Sequence, residues 1–345
     1  MRTDQISGPL AAALLLTAAV PGFARAVEVN RINPVEVCTP EDSRLAELSG
    51  LVSDGSRWWA VSDGGSAVRV FEVDPATCEV RGERGAPQNP YDVEDLALQN
   101  GALWLADTGD NQAKRADVAL HVLPPDGGAS LFRLSYPDGP HDAEALLLDR
   151  AGVPYLVTKE PLGAAGVYRP AAPLDSTRTV PMERVGTVSL RSTRTPGGPV
   201  DSPVGSAMVT GGSVSSDGTL IALCTYTEAY VYRAPDGDVV EALGTEPTRI
   251  PLPDEAQGEA IAWEPGGGLL SGSEDYDPIR RIPGADGGPV TAEEAEGAAP
   301  GGSADTRPSG SSAEDDGMST GSSLLLAGIA AALFAYLVGW RRRRS

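Results

Sequence analysis

Acidic residues recur at set distances ahead of short apolar runs. Glu47 lies four residues before Leu51; Asp92 and Glu94 lie four and two before Leu96; Asp142 and Glu144 stand in the same way before Leu146, and Glu259 before Ile261. A related run starts at Val214, with Thr210 and Gly212 in the acid positions. A second apolar run follows each of these and ends at Asp63, Asp107, Lys159, Tyr226 or Glu274. Carboxylates from separate segments, brought to one place, can ligate a hard divalent cation, and calcium wants six to eight oxygens. Crowded carboxylates otherwise repel and hold protons above their usual range. Glu94, Glu144 and Glu259 are the candidate metal ligands, and Glu47, Asp63, Asp92, Asp107, Asp142, Tyr226 and Glu274 complete the expected ligand-binding set. A second use stays open: a polar residue at a strand start can bond the backbone of a neighbouring strand. Lys159 either neutralises the acids or holds an anionic group. His141, directly before Asp142, has the ordinary titration range of a general base. His141 and Lys159 are therefore the catalytic candidates. His121 is expected on a strand surface. The segment Ala106–Asn111 (ADTGDN) reads either as a fragment of a cation loop or as an Asx turn.

These residues need elements that converge on an axis. Each run pair brackets a glycine-bearing turn: Gly55, Gly101, Gly152, Gly218 and Gly266. Such pairs read as antiparallel hairpins, and a third run follows each. The starts at Leu51, Leu96, Leu146, Val214 and Ile261 are 45, 50, 68 and 47 residues apart. Periods near this length with about four short strands apiece are those of propeller blades. Residues two apart share a strand face. The acid positions should therefore line one rim of a central channel as an acidic funnel. The fold expected is all-β: a single β-propeller, five blades favoured over six. Residues 27–38 alternate as a strand and are expected to close the ring as the missing outer strand of the last repeat, which leaves no open edge. Residues 169–210 break the pattern, with one outer strand and a long loop rich in turn formers.

The flanks give an address. Residues 1–26 carry Arg2, an apolar stretch and Ala24-Arg25-Ala26, the pattern of a cleaved secretory signal. Residues 27–283 form the propeller domain, and 284–322 an acidic Gly/Ala/Pro/Ser linker without aromatic residues, a composition that does not fold. Residues 323–340 read as a transmembrane helix, with Arg341 to Arg344 in a cytoplasmic tail at 341–345. The chain is thus expected in the cell membrane, single-pass, with its N-terminal domain outside. Cys38 and Cys78 are expected to pair in that oxidising compartment, and Cys224 to be buried and free. The formal net charge of −21 excludes nucleic acid and favours cations or basic ligands. No nucleophile elbow, P-loop or zinc spacing is present in the sequence.

The segments ELSGL (47–51), DVEDLAL and LWLADTGDN (within 92–111), DAEALLLD with YLVTKE and VYR (within 142–169), VTGGSVSSDG (209–218) and QGEAIAW (257–263) resemble a family of secreted or membrane-anchored actinobacterial β-propellers. The resemblance covers nearly all of 38–283 and implies this fold and export. More distantly, the blade pattern is similar to the SdiA-regulated and phytase-like-esterase propellers, and to calcium-dependent lactonase propellers beyond them; these imply calcium and hydrolysis. The expected function is a monomeric extracellular module that binds a ligand or protein, with calcium in the funnel. The alternative is a divalent-metal-dependent hydrolase of phosphoesters, esters or lactones.

Overall fold

The computed structural model describes residues 33–63, 65–161, 163–199 and 203–287. The signal segment, nearly all of the linker, the 323–340 span and the basic tail lie outside the described residues. Among the described residues no helix is long and apolar enough to cross a membrane.

The chain is built of antiparallel meanders, because its apolar runs are short and its turns carry glycine. Between Val93–Gln99 and Ala102–Asp107 the turn is Asn100-Gly101, both with positive φ (52° and 77°), a conformation that glycine adopts freely. The first meander is β2 (Leu48–Ser53), β3 (Trp58–Ser62), β4 (Val68–Val73) and β5 (Val80–Ala86). The second is β6 (Val93–Gln99), β7 (Ala102–Asp107), β8 (Val118–Leu123) and β9 (Ser130–Ser135). The third is β10 (Ala143–Leu148), β11 (Pro154–Thr158), β12 (Ala164–Pro170) and β13 (Val180–Ser189). Next come β14 (Val209–Val214), β15 (Leu220–Thr225), β16 (Glu228–Arg233), the short helix α1 (Val239–Leu243) and β17 (Thr248–Pro251). The last is β18 (Gly258–Trp263), β19 (Leu269–Ser273) and β20 (Ile279–Ile282), beside which lies β1 (Val35–Cys38). β9 and β13 touch in parallel at Leu134–Val180 and Ser135–Pro181, which merges the second and third meanders into one eight-stranded sheet.

The N-terminal strand closes the assembly as its pattern implied: the last sheet has the order β1-β20-β19-β18. A disulfide between Cys38 and Cys78 ties β1 to the loop between β4 and β5. Cys224 is buried and free. Apolar layers fill every gap between successive sheets. The last layer joins Leu48, Leu51, Trp58 and Phe71 of the first meander to Ala260, Leu270 and Ile279 of the last. Strands stacked in this closed order are consistent with a propeller. The irregular stretch contributes β13 and a tethered loop. Within that loop Thr193 and Thr195 donate to the buried Glu228 carboxylate, which Arg249 pairs at 2.9 Å.

The inner strands β2, β6, β10, β14 and β18 meet through small residues. A side chain at Gly50 would meet the Leu96 amide at 2.7 Å, and one at Gly212 would meet Leu147 at 2.9 Å. The exception is Asp95 on β6, fully buried. Its Oδ1 accepts the Leu96 N–H, and its Oδ2 accepts those of Leu146 on β10 and Gly212 on β14. Burial lifts this carboxyl well above its usual range, against the pull of those donors. One side chain thus pins three inner strands.

Asp95→Ala strands three buried N–H groups, a loss of about 3 kcal/mol or more, and thermal melting should fall by about 6–12 °C in a domain of this size. Asp95→Asn keeps one acceptor oxygen and should lose about half as much; equal melts for all three proteins would remove Asp95 as a pin. Opening the disulfide, which spans 40 residues, with Cys38→Ser and Cys78→Ser should cost about 4 kcal/mol on the chain-entropy account. The same melt checks it, and an unchanged midpoint would mean that β1 is held by its ladder alone.

Candidate functional site: an acidic funnel

Strand register decides which side chains reach the axis. Every inner strand slips against its partner at one equivalent place, and the extra residues there are Ser49, Glu94, Glu144, Thr210 and Glu259. A β-bulge re-aims a side chain in this way. The hydroxyl residues bond their neighbours: Ser49 Oγ donates to the Val93 and Glu94 carbonyls, and Thr210 Oγ1 donates to the Gly258 carbonyl at 2.7 Å. The three glutamates gather instead. One carboxylate oxygen from each of Glu94, Glu144 and Glu259 lies within 4.8 Å of the others, and all three residues are buried. Glu94 Oε1, Glu144 Oε2 and Glu274 Oε2 are buried and make no hydrogen bond.

The register also corrects two sequence assignments. In the fourth repeat the residue equivalent to Leu51, Leu96, Leu146 and Ile261 is Gly212, not Val214, so the bulge position belongs to Thr210. An apolar side chain at Gly212 would strike Leu147 and Ala145, which hid the match. In the second repeat Asp107 is paired as Ser62, Thr158, Thr225 and Ser273 are, one residue short of Asp63, Lys159, Tyr226 and Glu274. One residue of shift turns a side chain to the other face. Asp107 therefore leaves the funnel set. Its carboxylate accepts the Tyr91 and Asp92 amides at 3.0–3.1 Å, pairs with Arg115 at 3.0 Å and bonds His121 Nε2 at 3.2 Å. Burial opposes its ionisation, but His121, the Asp92 amide and Arg115 together hold it below the usual range. His121 is accordingly buried rather than on the surface. Thr108 and Gly109 take the exit position; Gly109 is required there, because a Cβ would collide with Glu94 Oε1 and the Asp92 carboxylate. Asp110 Oδ2 accepts the Lys114 and Arg115 amides at 2.7 Å, and its own N–H donates to Asp142 Oδ1 at 2.6 Å, so ADTGDN ties the loop that follows to the acids.

The remaining acids act on the trio from close by. Glu94 is driven well above the usual carboxyl range by burial, then by Glu144, Asp92, Asp142 and Asp63. Glu144 is raised by burial, with Lys159 opposing and Asp142 and Glu259 adding to the rise. Glu274 is pushed up to about 10 by burial and by Glu259, Asp63 and Glu47. Lys159 is the cation at the centre: Nζ is 3.0 Å from Glu144 Oε1 and 5.1 Å from the centroid of the buried Tyr226 ring. Burial works against its charge, but Glu144, Tyr226 and Glu259 hold its proton above the usual lysine range. Gln257 Nε2 bridges Glu259 Oε1 and Glu274 Oε1 at 2.8 and 2.6 Å. The funnel thus unites Glu47, Asp63, Asp92, Glu94, Asp142, Glu144, Lys159, Tyr226, Glu259 and Glu274 electrostatically. His141 belongs elsewhere. Its ring contacts Asp138 and the Tyr168 hydroxyl, each at 3.0 Å from Nε2, and packs on Tyr136.

Set against known proteins, the chain matches no protein-family model. No curated protein matches it. Among solved structures, a candidate gluconolactonase shares 15% identity at a TM-score of 0.39, over 70% of this chain and 76% of its own. A virginiamycin B lyase from Staphylococcus aureus shares 14% at 0.36, over 69% and 67%. The PQQ-bound aldose sugar dehydrogenase of Streptomyces coelicolor shares 10% at 0.38, over 71% and 95%. Likeness at this level assigns neither family nor activity.

Sequence reasoning passed over Glu255, on the wall of the same end. It is buried, accepts from Ser271 Oγ at 2.7 Å and lies 3.5 Å from Arg280. Burial pushes its carboxyl from 4.5 up to about 7, against the pull of Ser271 and Arg280. An acid raised in this way binds more protons folded than unfolded across that window, so its contribution to stability falls as pH rises through it and is flat above. Glu255→Gln removes the penalty. It should raise the melting point at pH 8 by several degrees, from about 1–3 kcal/mol, and by far less at pH 5. An equal gain at both pH values would refute the raised carboxyl.

Proposed function

We propose that the chain is a five-bladed, extracellular propeller whose funnel holds a divalent cation, calcium first, and uses it to bind an anionic ligand. The observation that carries this reading is the convergence of Glu94, Glu144 and Glu259, in which Glu94 Oε1 and Glu144 Oε2 are buried and accept no hydrogen bond. Two oxygens on one calcium lie at most about 5 Å apart, and the trio is that close. The chemistry fits as well: a cation would offset the mutual repulsion that drives these carboxyls to keep protons. Glu94, Glu144 and Glu259 would hold the ion, with Glu274 and Gln257 beside them. When bound, it would supply a positive centre that attracts and polarises an anionic or carbonyl group. Lys159, fixed on Glu144, would orient that group. Export is supported by the Cys38–Cys78 bridge, a bond of oxidising compartments. The tether at 323–340, like the monomeric state, remains part of the proposal.

Hydrolysis of a phosphoester, ester or lactone is the second reading. It is favoured by one observation, an ammonium group beside strongly perturbed carboxyls in one cleft. The base would then be a funnel carboxylate, since the His141 ring is engaged with Asp138 and Tyr168.

The full-length protein should melt higher with about 1 mM calcium than with EDTA. A rise of about 2.7 kcal/mol is expected at a hundredfold excess over Kd. Glu94→Gln with Glu144→Gln should abolish the response and, by relieving repulsion, raise the EDTA melt. A calcium response that survives the double substitution would place the ion elsewhere. No response in the wild type would leave the trio as an uncompensated acid cluster and end this reading.

A further inference from the structure

The loop between β9 and β10 brings a second group of metal-ligating side chains together, outside the funnel. Gly139 takes a positive φ of 106°, and the chain doubles back so that Asp138 and His141 meet. Tyr168 reaches them from β12. Glycine at 166 leaves room for its ring, since a Cβ there would meet the ring at 2.6 Å and the hydroxyl at 3.1 Å. The Asp138 and His141 side chains are 41% and 23% exposed, so solutes reach the group. The Tyr136 ring packs nearly perpendicular to those of His141 and Tyr168, with centroids 5.1 and 4.9 Å away.

The polar atoms of this group face one another with too few protons. His141 Nε2 is 3.0 Å from Asp138 Oδ1 and 3.0 Å from the Tyr168 hydroxyl, which is itself 2.9 Å from Asp138 Oδ2. The carboxylate only accepts, the phenol has one proton to give, and Nε2 has at most one. Two protons serve three contacts, so one close pair has none of its own. A metal ion satisfies all three donors at once. Neighbouring corners of an octahedron with bonds of about 2.1 Å lie about 3.0 Å apart, the spacing found here. On the other side of the ring, Nδ1 faces Glu160 Oε1 at 3.8 Å. A carboxylate in that place orients an imidazole whose Nε2 binds a metal.

The donor set selects the ion. Carboxylate and phenolate are hard oxygens, and imidazole suits iron as well as copper and zinc. The phenol ligates only after losing its proton, and burial and the bond to Asp138 hold that proton above the usual tyrosine range. A trivalent ion, with its larger charge, drives that loss harder than a divalent one. We infer that Asp138, His141 and Tyr168 form a second metal site, for ferric iron. The Tyr168 proton passes to solvent on binding, and neutral His141 keeps its proton on Nδ1, toward Glu160.

Ferric nitrilotriacetate is the probe, titrated into the full-length protein at neutral pH. A visible tyrosinate-to-iron charge-transfer band should grow in and saturate. Tyr168→Phe should abolish it, and Asp138→Asn or His141→Gln should weaken iron binding ~10-fold or more. The Glu94→Gln, Glu144→Gln protein should keep the band, which separates this site from the funnel. Resonance Raman excitation within the band reads phenolate modes in the wild type, and decides the matter even if a variant fails to fold. No visible band, a band that survives Tyr168→Phe, or one that disappears with the funnel glutamates would overturn the proposal.

Discussion

The constraint that shapes this molecule is the crowding of its inner strands. They run so close to one axis that ordinary side chains do not fit between them. The row equivalent to Asp95 reads Gly50, Ala145, Gly211 and Ala260. At Gly211 even a Cβ would collide with the Glu259 carbonyl, and at Gly272 on the second strand it would meet Leu48 at 2.7 Å. Apolar packing therefore lies between the sheets, away from the axis, and polar groups must hold the axis itself. Asp95 does this for three strands with one carboxylate. Hydroxyls of Ser49, Thr108 and Thr210 do it pairwise, each donating to a carbonyl of the next inner strand.

The same crowding explains the bulges. A regular strand would send its side chains sideways into the neighbouring sheets. One extra residue at the strand start turns a side chain toward the axis instead. Where that residue is Ser or Thr, the result is a stitch between strands. Where it is Glu, the side chain is too long for the neighbouring carbonyl, and when ionised it has no proton to give. The glutamates can only extend into the funnel, where they meet one another. Stitching and charge gathering are thus two outcomes of one backbone device, and the residue type chooses between them.

Much of this was legible in the chain. Period, turn glycines and the alternating N-terminal segment led to a closed ring of hairpins, and the spacing of acids led to Glu94, Glu144 and Glu259. The failures have one physical source. Bulges break the period of two that such reading assumes, and a single residue of shift exchanges the faces. Asp107 looked like a funnel acid because it ends an apolar run as Asp63 does. Its actual register faces it toward His121 and Arg115. Asp95 was invisible for the opposite reason: it sits between two residues with clear roles, and nothing local marks the distant Gly212 amide that it serves. His141 was placed by its neighbour Asp142, but adjacent residues on an extended chain point apart, and its ring joins Tyr136 and Tyr168.

The two ends of the axis now differ in a way that follows from the plug between them. On the acid side, side chains enter from bulges and converge. On the far side the strands run into turns, and each turn acid is spent on its own backbone, as Asp54, Asp149 and Asp217 show. Carboxylates satisfied locally cannot act across a cavity, whereas carboxylates aimed at an axis cannot be satisfied locally. Burial and mutual repulsion among carboxylates are therefore concentrated at the funnel end. At the other, Arg150 donates to the Asp217 and Pro235 carbonyls. One end of the axis thus gathers carboxylates from several strands while the other spends them on its own turns, and Asp95 stands between the two, bonded to the Leu146 and Gly212 amides.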